Sequence, residues 1–170
     1  MKRLLIALAL LFVLPAAAAA QSVGYIDTQS ILDKMPQYTQ ALQQLERLKG
    51  QYDTQIEKEY KSIELLFNNY QREKATLSQR EREAREQEII SKERSVKEFE
   101  QEIYGQEGVM YERSRQYLDP VKEIVQKAID SVAVELSLIL LFDIATIEGV
   151  VYQDPRGDIT PLVLKRLNLK

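Results

Sequence analysis

A stretch of about eighty residues, 37–118, contains no proline and constrains this chain more than any other feature. Its only glycines are Gly50, Gly105 and Gly108. Glu, Gln, Lys, Arg and Leu fill it, and these residues lose little rotamer freedom in a helix. In alternating steps of three and four, the series Tyr38, Leu42, Leu45, Lys49, Tyr52, Ile56, Glu59, Ile63, Leu66, Tyr70, Glu73, Leu77 is apolar at nine of twelve positions. That is the narrow seam of a coiled coil rather than a broad amphipathic face. A second series runs Ile89, Val96, Phe99, Ile103, Met110, Tyr117.

Between the two series, Ser78-Gln79-Arg80-Glu81 is a capping-box pattern that marks a helix start. It divides the stretch into arms of about 38 and 40 residues, each near 60 Å at about 1.5 Å per residue. Equal arms suit an antiparallel hairpin, because each seam can then pair along its full length. A single long helix is the alternative that the pattern leaves open. Gly105 and Gly108 weaken the returning arm and are hinge candidates, each costing roughly 1 kcal/mol relative to Ala.

The segments flanking the arms differ in character. Val23-Gly24-Tyr25-Ile26-Asp27 reads as a short strand, with Asp27, Thr28 or Ser30 capping a helical turn through Ile31 and Leu32. Pro36 fits the first turn of the first arm. Asp119-Pro120 reads as a cap and first turn of another helix, whose apolar face runs Val121, Ile124, Val125, Ala128, Ile129, Val132. Leu138–Phe142 is an apolar run of strand length, and Val150-Val151-Tyr152 is expected to form a further strand. Asp154-Pro155-Arg156-Gly157 is turn chemistry. Thr160-Pro161 is expected to cap a closing helix with Leu162, Val163, Leu164 and Leu167 on its apolar side.

The first twenty residues read as an export leader. Lys2 and Arg3 precede an apolar run from Leu4 to Leu14, then Pro15 and the small residues Ala16–Ala20. The run is short for a spanning helix, which needs about 20 apolar residues. An uncleaved anchor is the other reading. Cleavage after Ala20 takes the net charge from −3 to −5, since Lys2 and Arg3 are lost from 23 basic residues against 26 acidic ones. The expected organisation is a signal peptide over 1–20, a small α/β oligomerisation body from 21–36 and 119–170, and a helical-hairpin tentacle over 37–118. The fold class is mainly α with a small β body.

Such a body has only about 70 residues outside the arms, which is marginal for an independent core. Its short strands also leave open edges. Shared packing between copies follows, with Val23, Tyr25, Ile26, Leu138, Ile139, Leu140, Leu141, Phe142, Val150, Val151 and Tyr152 as the candidate oligomer core. A self-sufficient small body is the alternative. The chain has no Cys and no His. Thiolate metal sites, disulfides, cysteine nucleophiles and Ser-His-Asp catalysis are therefore excluded. No Gly-rich phosphate loop, paired carboxylates or EF-hand spacing stands out. No catalytic residue, metal site or cofactor is expected, and the chain reads as a non-enzyme.

The leader, Val23–Asp27, the turn at Ile31-Leu32, the charged hairpin, Leu141-Phe142-Asp143, Val151-Tyr152 and Asp158-Ile159-Thr160 occur in an order that resembles the Skp/OmpH family of periplasmic outer-membrane-protein chaperones. The resemblance covers essentially the whole mature chain. It implies a jellyfish-shaped homotrimer with a shared β body, whose three tentacles enclose a cavity. It implies ATP-independent holding of unfolded outer-membrane proteins in the periplasm. Client-contact candidates are the off-seam residues Tyr60, Phe67, Ile90, Tyr104 and Tyr111, with Met110 as adaptable packing. Any of them can instead belong to a wider packing face within the hairpin. The chain departs from the family's best-known members in being acidic. Residues 71–97 carry eight basic residues against six Glu, whereas 98–112 carries five Glu and no base. Contact with membrane or lipopolysaccharide is therefore not expected beyond the tentacle tips, and no nucleic-acid partner is expected. The competing reading is a non-catalytic envelope spacer or adaptor that binds one defined partner through the hairpin.

Overall fold

The computed structural model of the protein describes residues 23–169, so the leader lies outside the described residues. In chain order the elements are β1 (Val23–Ile26), α1 (Thr28–Asp33), α2 (Pro36–Glu73), α3 (Gln79–Tyr104), α4 (Val109–Glu135), β2 (Leu140–Asp143), a 3-10 turn (Pro155–Gly157) and α5 (Thr160–Arg166). The described residues fall into two compact units, 32–126 and 23–31 with 127–169. The fold is mainly helical, a long antiparallel helical hairpin with a small β part.

In the first unit, α2 and α3 run antiparallel from the interhelix turn to the level where Tyr104 meets Asp53. One residue per heptad is buried on each side: Ile56, Ile63 and Tyr70 on α2, Ile89, Val96 and Ile103 on α3. Five of these form one cluster, Ile56, Ile63, Tyr70, Ile89 and Val96, against which Leu66, Leu77 and Phe99 pack. Seven-residue spacing keeps the seam facing its partner, as a 3.5-residue repeat requires. The seam does not hold evenly. Leu42 is 42% exposed, while Ala41 beside it is buried. Between the arms, Ser78 accepts the Glu81 amide and the Glu81 carboxylate takes the Ser78 amide at 2.8 Å, a complete capping box. Arg82 closes the turn from below, donating to the Leu77 carbonyl at 3.0 Å.

Two expectations for this stretch are corrected. The returning arm is not one helix: α3 ends at Tyr104 and α4 begins at Val109. Gly105 has extended backbone, ψ 171°, with its amide still bonded to Gln101 O. Asp119-Pro120 does not start a helix either, for Pro120 lies inside α4. Pro lacks the donor that a helix interior uses. The apolar face nevertheless continues across it through half-buried Tyr117 to buried Val121, Val125, Ala128, Ile129 and Val132. Burial of that continuous face outweighs the local signal of the Asp-Pro pair.

In the second unit, β1 and β2 pair in parallel, Val23 opposite Leu140 through Ile26 opposite Asp143. Parallel strands need a crossover connection, and here residues 27–139, including the whole hairpin, supply it. A third segment reaches β1 on its other side: Tyr25 bridges Asp158, and the Ile159 amide donates to Tyr25 O at 3.0 Å. Gly24 allows this close approach, since a Cβ there would lie 3.3 Å from the Gly157 carbonyl and 3.2 Å from Leu138. Ile31 and Val163 are completely buried, with Ile26, Val132 and Ile159 nearly so.

Polar bonds fix the strand ends. Asp143 accepts the Thr28 hydroxyl at 2.6 Å, the Thr28 amide at 3.2 Å and the Ala145 amide at 3.1 Å. Asp27 caps α1 by accepting the Ser30 amide at 2.9 Å. The Thr160 expectation is corrected: Asp158 takes the Thr160 amide at 2.8 Å, and the Thr160 hydroxyl instead accepts the Asp27 amide at 3.0 Å. The strand runs Leu140–Asp143 rather than Leu138–Phe142, because α4 and the left-handed Ser137 (φ 53°) occupy the approach. Val150–Tyr152 is not a strand, and among the described residues it has no ladder partner.

Candidate functional site

Two surfaces carry the residues singled out from the sequence, one in each unit. On the hairpin, a series of tyrosine hydroxyls reaches from one helix to a carboxylate on the other. Tyr70 donates to Glu86, Tyr60 to Glu100 Oε2 at 3.0 Å, and Tyr104 to Asp53 Oδ1 at 2.6 Å. Lys92 approaches Glu59 at 3.7 Å on the same pair of helices. The bonds pair positions in reverse order along the two helices, so they match the antiparallel register of the seam. Each charged acceptor favours the protonated phenol. The Glu100 bond raises the pKa of Tyr60 and the Glu86 bond that of Tyr70, while partial burial and then the Asp53 bond push Tyr104 up to about 12. Asp53 is held below its ordinary value by Lys49, bonded at 2.6 Å, and then by Tyr104.

These bonds sharpen the client-contact candidates. Tyr60 and Tyr104 are 40% and 42% exposed, yet their hydroxyls bind within the hairpin. Phe67, Ile90 and Tyr111 are exposed, and Met110 is half-buried. Tyr111 also lies under the Arg115 guanidinium. Leu65, absent from the candidates, is more exposed than any of them at 63%. Its heptad position gave the signal, since it falls between the seam residues Ile63 and Leu66 and on the opposite side of the helix.

The β unit carries the second surface. Of the oligomer-core candidates, Ile26 is buried in the chain's own core, and Tyr25, Leu138 and Leu141 are half-buried. Val23, Ile139, Leu140, Phe142, Val150, Val151 and Tyr152 are all exposed, Val151 almost completely. An open hollow of about 420 Å³ lies among Val23, Tyr25, Phe142, Ile144, Val150 and Tyr152. Contiguous exposed apolar area of this kind marks an interaction surface. Among the described residues no group of three or more acidic ligands could hold a metal ion, and no helix is long and apolar enough to cross a membrane.

A seamed two-helix hairpin that lies, in chain order, between two paired parallel strands defines a class of helical-hairpin proteins. The model of one such family, outer membrane protein (OmpH-like), matches residues 22–167. The chain belongs to the OmpH-like family. A crystal structure from Caulobacter crescentus CB15, described as an OmpH-like outer membrane chaperone, shares the fold. Its TM-score is 0.66 at 15% identity, over 88% of this chain and 85% of that one. No curated protein matches the chain.

Proposed function

We propose that this protein is an ATP-independent periplasmic holdase chaperone. It binds unfolded outer-membrane proteins in a cavity formed by helical hairpins and prevents their aggregation. The observation that carries this reading is the combination of OmpH-like family membership with a thin-cored hairpin whose apolar side chains remain exposed. A holdase needs weak, adaptable contacts for many sequences, and Tyr60, Phe67, Ile90, Tyr104, Met110 and Tyr111 offer them. The name of the Caulobacter relative is consistent with the same role.

Three further parts belong to the proposal. The leader over 1–20 directs export and is removed. The 21–36 and 119–170 segments form a body whose exposed apolar residues pack between copies, giving a homotrimer. The 37–118 hairpin acts as the tentacle, with the Gly105–Gly108 break as a joint that lets the cavity widen. Such a body offers no chemistry and the protein is not an enzyme on this reading.

Light scattering of several unrelated unfolded barrel proteins, diluted from denaturant with and without the purified mature chain, tests the proposal. Suppression of aggregation for all of them at about one trimer per client is expected. Suppression of none, with tight binding to one envelope protein, would replace the holdase by an adaptor.

A further inference from the structure

The break between α3 and α4 interrupts only one of the hairpin's helices. A gap in one helix of a packed pair does not make a hinge, because the intact partner splints it. At the same level, however, α2 carries Gly50 in its interior. The level is fixed by Tyr104, the last residue of α3, whose hydroxyl binds Asp53 at 2.6 Å and lies 3.5 Å from the Lys49 carbonyl oxygen.

Gly50 has no packing reason to be glycine. A Cβ there would meet nothing within 4 Å, so alanine would fit and would strengthen the helix. The Thr54 hydroxyl, at 2.7 Å from the Gly50 carbonyl, adds the kind of side-chain bond that bends helices. Gly105 and Gly108 differ from Gly50. Side chains at either would press on backbone carbonyls, those of Gln101 for Gly105 and of Glu102 and Ile103 for Gly108. They are required by the shape of the break, whereas Gly50 is not required by any shape.

We propose that Gly50 and the Gly105–Gly108 break are the two halves of one hinge, latched by the Tyr104–Asp53 bond, about which residues 51–104 pivot. The proposal rests on the joint assigned to Gly105–Gly108 above but not on the identity of any client. The Lys49–Asp53 ion pair at 2.6 Å holds the acceptor of the latch from the α2 side. Opening therefore requires release of one phenol from one carboxylate and bending of one turn of α2.

Amide hydrogen exchange on the full chain without client tests this, so its outcome is independent of holdase activity. In the wild type, amides 51–54 and 105–112 should exchange faster than amides 61–66 in the seam. Gly50→Ala should slow 51–54 about fivefold, the exchange equivalent of the helix-propensity gain, and should slow 105–112 with them. Tyr104→Phe should accelerate both segments together. Slowing confined to 51–54 in Gly50→Ala would show a local propensity effect and overturn the hinge, as would Tyr104→Phe leaving both segments unchanged.

Discussion

At the residue scale, the tyrosine–carboxylate bonds tie the hairpin's register to ionisation. Tyr104 holds its proton up to about pH 12 in the folded chain, against an ordinary value of 10.0. A group whose folded pKa is raised stabilises fully below the unfolded pKa and loses that contribution as pH rises through the folded one. Tyr60 and Tyr70 are shifted in the same direction. Wild type is thus expected to melt above Tyr104→Phe at neutral pH, and the two curves to converge between about pH 10 and 12. Melts followed by far-UV circular dichroism across that range check it, and a gap that stays constant would refute the assignment. In the β unit, Asp143→Ala would leave the part-buried Thr28 amide without its acceptor. A loss of about 1–3 kcal/mol in urea unfolding is expected.

Among elements, burial along the hairpin is uneven, and substitutions should follow it. Ile63, 7% exposed, belongs to the interhelix cluster. Ile63→Ala should destabilise by about 2–4 kcal/mol, whereas Leu42→Ala, at a position 42% exposed, should change the unfolding midpoint only slightly. Equal effects would mean that the seam extends through Leu42 after all. Ser78→Ala removes the capping oxygen of α3 and should cost about 1 kcal/mol, seen as earlier fraying of the interhelix turn in hydrogen exchange. The central seam and the capping box were legible because they depend on local periodicity and on bonds between residues three apart, whereas the break that shortens the returning arm at Tyr104 was not. Pro120 was misread for the same reason. Asp-Pro is a local stop signal, and only the buried face of α4, spanning Tyr117 to Val132, decides that the helix runs through it.

For the whole molecule, the β unit carries the most exposed apolar side chains. Val151 is 98% exposed and Tyr152 80%, so Val151→Asp should leave the monomer's secondary structure unchanged. If copies share this surface, as proposed, sedimentation should show Val151→Asp shifting to smaller species while wild type remains trimeric. An unchanged distribution would move the shared core elsewhere. The expected strand at Val150–Tyr152 belongs to the same question, since β-branched and aromatic residues favour a strand that still needs a partner edge. Its apolar sequence was readable, but the absence of a ladder partner within the described chain was not.

The sequence by itself determined the helical arms, the seam around Ile56, Ile63 and Tyr70, and the capping box at the turn. Period and capping are properties of neighbouring residues, and a two-helix seam follows from them. Only the tertiary structure decided which hydroxyls meet which carboxylates, that Asp143 and Thr160 hold the strand ends, and that Gly50 stands level with the Gly105–Gly108 break. Those facts depend on the axial register of two helices and on contacts between residues more than a hundred positions apart, which no local pattern encodes.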